Sequence, residues 1–175
     1  MSYFLAVTQN QCTSNFNRVG TIYYCDYCEN QYTYKTITYD YQAIATQTTL
    51  MFAIRNDIGF FALDEISVRQ VEASTENLLL NGDFELGNLS SWTSCIVEGS
   101  ASDSRVESNS SMIQFDNYTF ISQLGSFYYL GGARIYPEYL SQTFSTTIDE
   151  IYRIEFSYVY IGNSSSTTLD VLLSI

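Results

Sequence analysis

Apolar and polar residues alternate with period two over much of this chain, and helical periodicity is almost absent. The clearest run is Tyr152 to Tyr160. Its even positions Tyr152, Ile154, Phe156, Tyr158 and Tyr160 are apolar or aromatic, while Arg153, Glu155 and Ser157 stand between them. Successive side chains of a strand point to opposite faces, so the five even positions form one face, expected to be core, and the charged ones point away. Further strands are expected over Tyr3 to Thr8, Thr21 to Tyr24, Tyr32 to Gln42, Thr48 to Arg55 (with Leu50, Phe52 and Ile54 on one face) and Phe60 to Val68. The remainder are Leu78 to Glu85, Met112 to Phe115, Ser126 to Leu130, Leu140 to Thr147 and Thr167 to Ile175. Turn chemistry separates them at Asn56-Asp57-Ile58-Gly59, Asn81-Gly82, Gly131-Gly132 and Gly162-Asn163-Ser164. About ten short strands without helices predict an all-β sandwich or barrel. Residues 69–77 are polar, lack alternation and read as a linker between 1–68 and 78–175.

Composition narrows the function. The 175 residues hold 7 Lys plus Arg against 19 Asp plus Glu, a net charge of −12, with no His. Binding of nucleic acid or of an anionic membrane surface needs clustered cations and is not expected. Without His there is no Ser-His-Asp or Cys-His catalysis and no His-ligated zinc. The apolar runs, such as Leu78-Leu79-Leu80, are too short to span a bilayer, and Gly131-Gly132 lacks the Lys-Ser/Thr of a phosphate loop. The adjacent acids Asp64-Glu65 and Asp149-Glu150 point to opposite faces if they lie on strands, so no paired acid and base of a glycosidase is marked, and catalysis is not expected.

Four cysteines, Cys12, Cys25, Cys28 and Cys95, include one C-x-x-C pair. Its Tyr-rich, non-helical flanks argue against thioredoxin-type redox chemistry, and a four-thiolate zinc site usually carries two such pairs. A turn bridge between Cys25 and Cys28 is expected, with Cys12 and Cys95 free or paired. Asn88, Asn109, Asn117 and Asn163 begin N-glycosylation sequons. Few Lys and many Tyr and Thr also suit a secreted or extracellular β-protein. Met1 to Val7 is too short for a secretory signal and has no basic segment, so the sequence is expected to be either incomplete or a piece of a larger secreted protein.

Residues 78–92, LLLNGDFELGNLSSW, are similar to the opening strand of carbohydrate-binding modules of the family 4/9/22 type, which have a galactose-binding-like jelly-roll fold. Gly125 to Leu130, Leu140 to Thr143, and Tyr152 with Phe156 resemble the strands that follow in those modules. Thr49-Leu50-Met51-Phe52 and Leu63-Asp64-Glu65-Ile66-Ser67-Val68 resemble their closing strands. Here the closing motifs precede the opening one. The chain is then either a circularly permuted module or the tail of one module joined to the head of the next in a tandem array. A single closed sandwich is favoured, because half-sandwiches expose apolar faces and unpaired edges. In a permuted module the strand over 3–7 would lie beside 170–175.

The resemblance implies non-catalytic glycan binding. Arg153 and Glu155, and Arg55 beyond Leu50, Phe52 and Ile54, would hydrogen-bond sugar hydroxyls, with Tyr129 or Tyr34 stacking on a pyranose face. The plain alternative is a solvated sheet face with a cross-strand ion pair. Trp92 reads as a core plug rather than a sugar platform. The resemblance also implies a structural Ca2+ where opening and closing strands meet, held by Asp64 and Glu85, the alternative being backbone capping by these carboxylates. The competing function is a structural or protein-binding ectodomain without a sugar, joined to neighbouring modules of a longer chain.

Overall fold

The computed structural model describes residues 10–14, 16–72, 76–163 and 166–175. Twelve strands follow one another: β1 (Arg18–Asp26), β2 (Lys35–Gln42), β3 (Gln47–Asn56), β4 (Gly59–Gln70), β5 (Thr93–Ile96), β6 (Arg105–Ser108), β7 (Gln114–Phe115), β8 (Tyr118–Thr119), β9 (Phe127–Gly131), β10 (Glu138–Ser145), β11 (Ile151–Gly162) and β12 (Thr167–Ser174). A single 3-10 turn, Asn109–Ser111, is the one helical element among the described residues. One antiparallel sheet has the order β1-β12-β3-β10-β5 and the other β2-β11-β4-β9-β6. The chain thus passes from sheet to sheet at nearly every connection, as in the interleaved Greek keys of a jelly roll. The expected all-β jelly-roll sandwich is what forms.

Period two explains the layers. The predicted face of β11, Tyr152 to Tyr160, and the face Leu50, Phe52 and Ile54 of β3 meet in the interior. Phe52 and Phe156 pack edge-on with centroids 5.2 Å apart. The interior is rich in tyrosines, and each hydroxyl needs a partner. Several partners lie on the facing sheet: Tyr160 with Thr167 at 2.9 Å, Tyr41 with Thr48 at 3.3 Å, Tyr129 with Glu138 at 3.1 Å, and Tyr158 with Tyr23. The hydroxyls therefore tie the two sheets together as well as filling the space between them.

Part of each outer face is covered too. The β7–β8 hairpin and its flanks lay Phe115, Tyr118 and Phe120 against Ala62, Tyr128, Leu130, Val159 and Ile161 of the second sheet. On the first sheet, Cys12 and Phe16 cover Met51, Ala53, Tyr139 and Leu172. A Cys12–Cys95 disulfide staples that segment to β5, and Cys25–Cys28 form the second disulfide. The expected Cys25–Cys28 bridge is present, and Cys12 and Cys95 are paired rather than free.

The structure corrects several expected elements. Leu78 to Glu85 is not a strand. It touches β4 through two backbone bonds, Leu78 N–H to Val68 O at 2.8 Å and Ile66 N–H to Gly82 O at 2.9 Å. It then turns, with left-handed backbone at Asn81 (φ 53°) and Phe84 (φ 57°), which ends regular pairing there. The polar stretch 69–77 is not wholly a linker, since Arg69 and Gln70 end β4. Two short edge strands, β5 and β6, carried no alternation strong enough to predict them. The strand expected over Tyr3 to Thr8, and its pairing with 170–175, lie outside the described residues. The C-terminal strand β12 pairs with β1, from Arg18 opposite Ser174 to Asp26 opposite Thr168.

Candidate functional site

An open groove of about 720 Å3 crosses the outer face of the second sheet. Its floor is a grid set by strand register. Thr36 of β2 lies opposite Ser157 of β11, Thr38 opposite Glu155, and Asp40 opposite Arg153. Across β11, Ser157 faces Asp64 of β4, Glu155 faces Ser67, and Arg153 faces Arg69. The register slips by one residue between Glu155 and Ser157, because β4 carries a bulge where Glu65 takes φ 54°. A bulge re-aims side chains and ends regular pairing. Beyond it β4 no longer pairs with β9, and residues 77–83 form the groove's side wall instead.

Asn77 fixes that wall. Its Oδ1 accepts the N–H groups of Val68 (2.9 Å) and Leu79 (3.1 Å), and its Nδ2 donates to Ile66 O at 3.0 Å. Gly82 lies so close to the Ile66 carbonyl that a Cβ there has no room. Trp92 holds the next turn from inside: its Nε1–H donates to Asn81 O at 2.9 Å and its ring packs against Phe84 and Phe52. Trp92 is thus the core plug that the sequence suggests.

The end wall is the loop holding Gln123 and Leu124, and buried Asp64 anchors it. Asp64 Oδ2 accepts the N–H groups of Gln123 (2.7 Å) and Leu124 (3.2 Å), and Oδ1 accepts Glu65 N–H at 2.8 Å. Burial pushes the Asp64 carboxyl up to about 7, against the pull of those three N–H bonds. Tyr34 supports the same loop by donating its hydroxyl to Ile121 O at 2.9 Å. Burial raises that hydroxyl far above 10, with the Asp64 carboxylate adding to the rise. Glu85 caps the far side, accepting the N–H groups of Ser126 and Phe127, each at 2.8 Å. Asp64 and Glu85 thus cap backbone N–H groups on either side of one loop. Among the described residues no group of three or more Cys, Asp or Glu is arranged to hold a metal.

The groove brings together only part of the expected sugar site. Glu155 lines it, with Oε1 near Thr38 Oγ1 (3.4 Å) and Oε2 at 3.9 Å from Arg69. Arg153 shares its sheet face but is held by Asp40 through two bonds, at 2.8 and 2.9 Å. This is the cross-strand ion pair of the plain alternative. The guanidinium holds the Asp40 carboxyl below its ordinary range, while Asp40 raises Arg153. Both partners are about half exposed. Exposed pairs of this kind contribute little, so Arg153→Ala is expected to leave the melting temperature unchanged in calorimetry.

Arg55 lies in the first sheet, paired with Asp57 at 2.8 Å, and does not reach the groove. Tyr129 is wholly buried, its ring stacked on Phe84 and its hydroxyl on Glu138, so it is a core residue and offers no face to a ligand. Tyr34 is half-buried beneath the loop and acts as a support, not a platform. Glu65, Ser67, Arg69, Asn77, Asp83 and Gln123 were not anticipated, although the alternation Ile66-Ser67-Val68-Arg69 marks Ser67 and Arg69 as outward-facing.

The four sequons differ. Asn88 and Asn117 are exposed, Asn117 at the β7–β8 turn with φ 63°. The Asn109 amide is engaged, donating to Ser122 Oγ at 2.9 Å and accepting Ser122 N–H at 2.7 Å. Asn163 is exposed, and the two serines that complete its sequon lie outside the described residues.

No family model, curated protein or solved structure matches this chain. The groove must therefore be read on its own chemistry.

Proposed function

We propose that this chain is a non-catalytic glycan-binding β-sandwich whose site is the groove over β2, β11 and β4. The observation that carries the reading is the groove's mixed lining. Hydroxyls (Thr36, Ser67, Ser157), carboxylates (Glu65, Asp83, Glu155), the Gln123 amide and the Arg69 guanidinium alternate over one concave surface, with no aromatic ring among them. Sugars offer dense donor-acceptor arrays, and a few placed polar groups give such a cleft its orientation and specificity. The resemblance of residues 78–92 and of the Leu63 to Val68 strand to carbohydrate-binding modules supports the same reading. Leu79 and Asn81 to Asp83 of the first motif, and Glu65 to Ser67 of the second, line the groove. Two disulfides suit an oxidising, extracellular compartment.

A glycan array probed with the intact protein tests the proposal. Binding to at least one neutral oligosaccharide class is expected, weakened about tenfold or more by Glu155→Ala or Gln123→Ala, since each removes a ligand-facing polar group. Arg55→Ala should bind as the parent does. Loss of binding in Arg55→Ala with retention in Glu155→Ala and Gln123→Ala would move the site to the other sheet and overturn the proposal.

A further inference from the structure

The groove's lining also bears on the charge of its ligand. Three carboxylates, Glu65, Asp83 and Glu155, face it against one guanidinium, Arg69. Arg69 is already engaged: it lies 3.9 Å from Glu155 and donates to Ser67 Oγ at 2.5 Å. Among the described residues neither Glu65 nor Asp83 has a Lys or Arg within ion-pair distance. Partial burial raises the Glu65 carboxyl, with the Asp83 charge adding to the rise and the Arg69 charge opposing it, and the Ile66 N–H to Gly82 O bond sets the two acids side by side on the groove wall. Both are oxygen acceptors that a ligand's N–H groups could reach without displacing an internal cation. An acid sugar meets repulsion here twice, from the lining and from a chain of net charge −12.

Resting on the glycan-binding reading, we propose that the groove selects oligosaccharides bearing a free amino group, of the glucosamine type, over neutral and acidic ones, with the sugar ammonium held between Glu65 and Asp83. An ammonium has three N–H donors and no acceptor, which matches a pair of carboxylates, and charge-assisted bonds of this kind are about twice as strong as neutral ones. The lining without rings favours this mode over stacking. The floor hydroxyls Thr36, Ser157 and Ser67 remain for the neutral parts of the same chain.

Titration calorimetry of the intact protein with four short oligomers tests this: glucosamine, N-acetylglucosamine, glucose and glucuronic acid hexamers at low salt. The glucosamine hexamer is expected to bind about tenfold or more tighter than the glucose hexamer, and the preference to shrink as salt is raised. The glucuronic acid hexamer is expected to be the weakest. A Glu65→Gln, Asp83→Asn double variant is expected to lose the glucosamine preference, binding the glucosamine and glucose hexamers within about twofold of each other. Equal binding of glucosamine and glucose hexamers overturns the inference while leaving the glycan-binding reading intact. So does a preference that survives in the double variant, since diffuse surface charge then accounts for it. Absence of binding to all four hexamers and to every sugar of the array removes both.

Discussion

Trp92→Ala is expected to cost about 4 kcal/mol of stability, lowering the melting temperature by roughly 10 °C, with denaturant unfolding as the second measure. The side chain is 7% exposed, and its ring contacts Phe52 of β3 and Phe84 of the groove wall. Removing it opens a cavity between the first sheet and residues 77–86, which cannot collapse because Asn77 and the Cys12–Cys95 disulfide pin the chain on both sides. It also orphans Asn81 O, which accepts Nε1–H. Trp92→Phe keeps most of the packing and loses that bond, and is expected to cost about 1 kcal/mol for the bond plus a smaller packing loss. A sugar platform would behave in the opposite way, with binding lost and stability kept. Unchanged stability in Trp92→Ala would contradict the placement of the whole 77–92 segment.

The second large effect is one of pH. Asp64 is fully buried, and its carboxyl is pushed up to about 7 from the 3.8 of a free side chain. Burial likewise raises Glu138, which accepts bonds from Ser102, Ser104 and Tyr129, and Glu65 on the groove rim. Asp64 faces the loop amides of Gln123 and Leu124, with Glu65 beside it and Tyr34 near enough to feel its charge. Between pH 4 and 7 an unfolded chain has already lost the Asp64 proton while the folded one retains it. Folding then takes up a proton, so stability falls as pH rises through that window and levels off above it. One pKa unit is worth about 1.4 kcal/mol, which bounds the contribution of Asp64 at about 4 kcal/mol. The opposite contributions, from the lowered carboxyls of Asp57 and Glu107, act only at lower pH. Thermal unfolding is expected to show a higher melting temperature near pH 5 than near pH 8, with a flatter profile in Asp64→Asn. A melting temperature that rises steadily from pH 5 to 8 would show Asp64 ionised throughout, governed by its three N–H bonds.

Much of the sandwich could be read in advance because period two is a strong signal where one face is buried. Tyr152 to Tyr160 and Leu50 to Ile54 showed their inner faces outright, and the outward placement of Arg153 and Glu155 followed. The same rule misleads where both faces are buried. Phe127-Tyr128-Tyr129 runs through a strand covered on each side, so Tyr128 enters the hairpin-covered cluster and Tyr129 the interior, leaving no ring for a sugar. Alternation says nothing about which sheet a strand joins, which is why Arg55 and Arg153 looked like neighbours but lie in different sheets. Leu78-Leu79-Leu80 resembles a strand, yet Asn77 draws the local backbone bonds to its own amide and Asn81 and Phe84 turn the chain. The groove floor is small hydroxyls and scattered acids, residue types common on any sheet face. Only the register of β2, β11 and β4, with the bulge at Glu65, gathers them into a site.

The central claim, glycan recognition on the outer face of the second sheet, is tested most directly by backbone amide NMR of the labelled protein titrated with the tightest oligosaccharide of the array. Saturable shifts are expected at Thr36, Glu65, Ser67, Arg69, Asp83, Gln123 and Glu155, the residues that line the groove. Shifts confined to the first sheet, around Arg55, Asp57 and Ile135, would contradict the account.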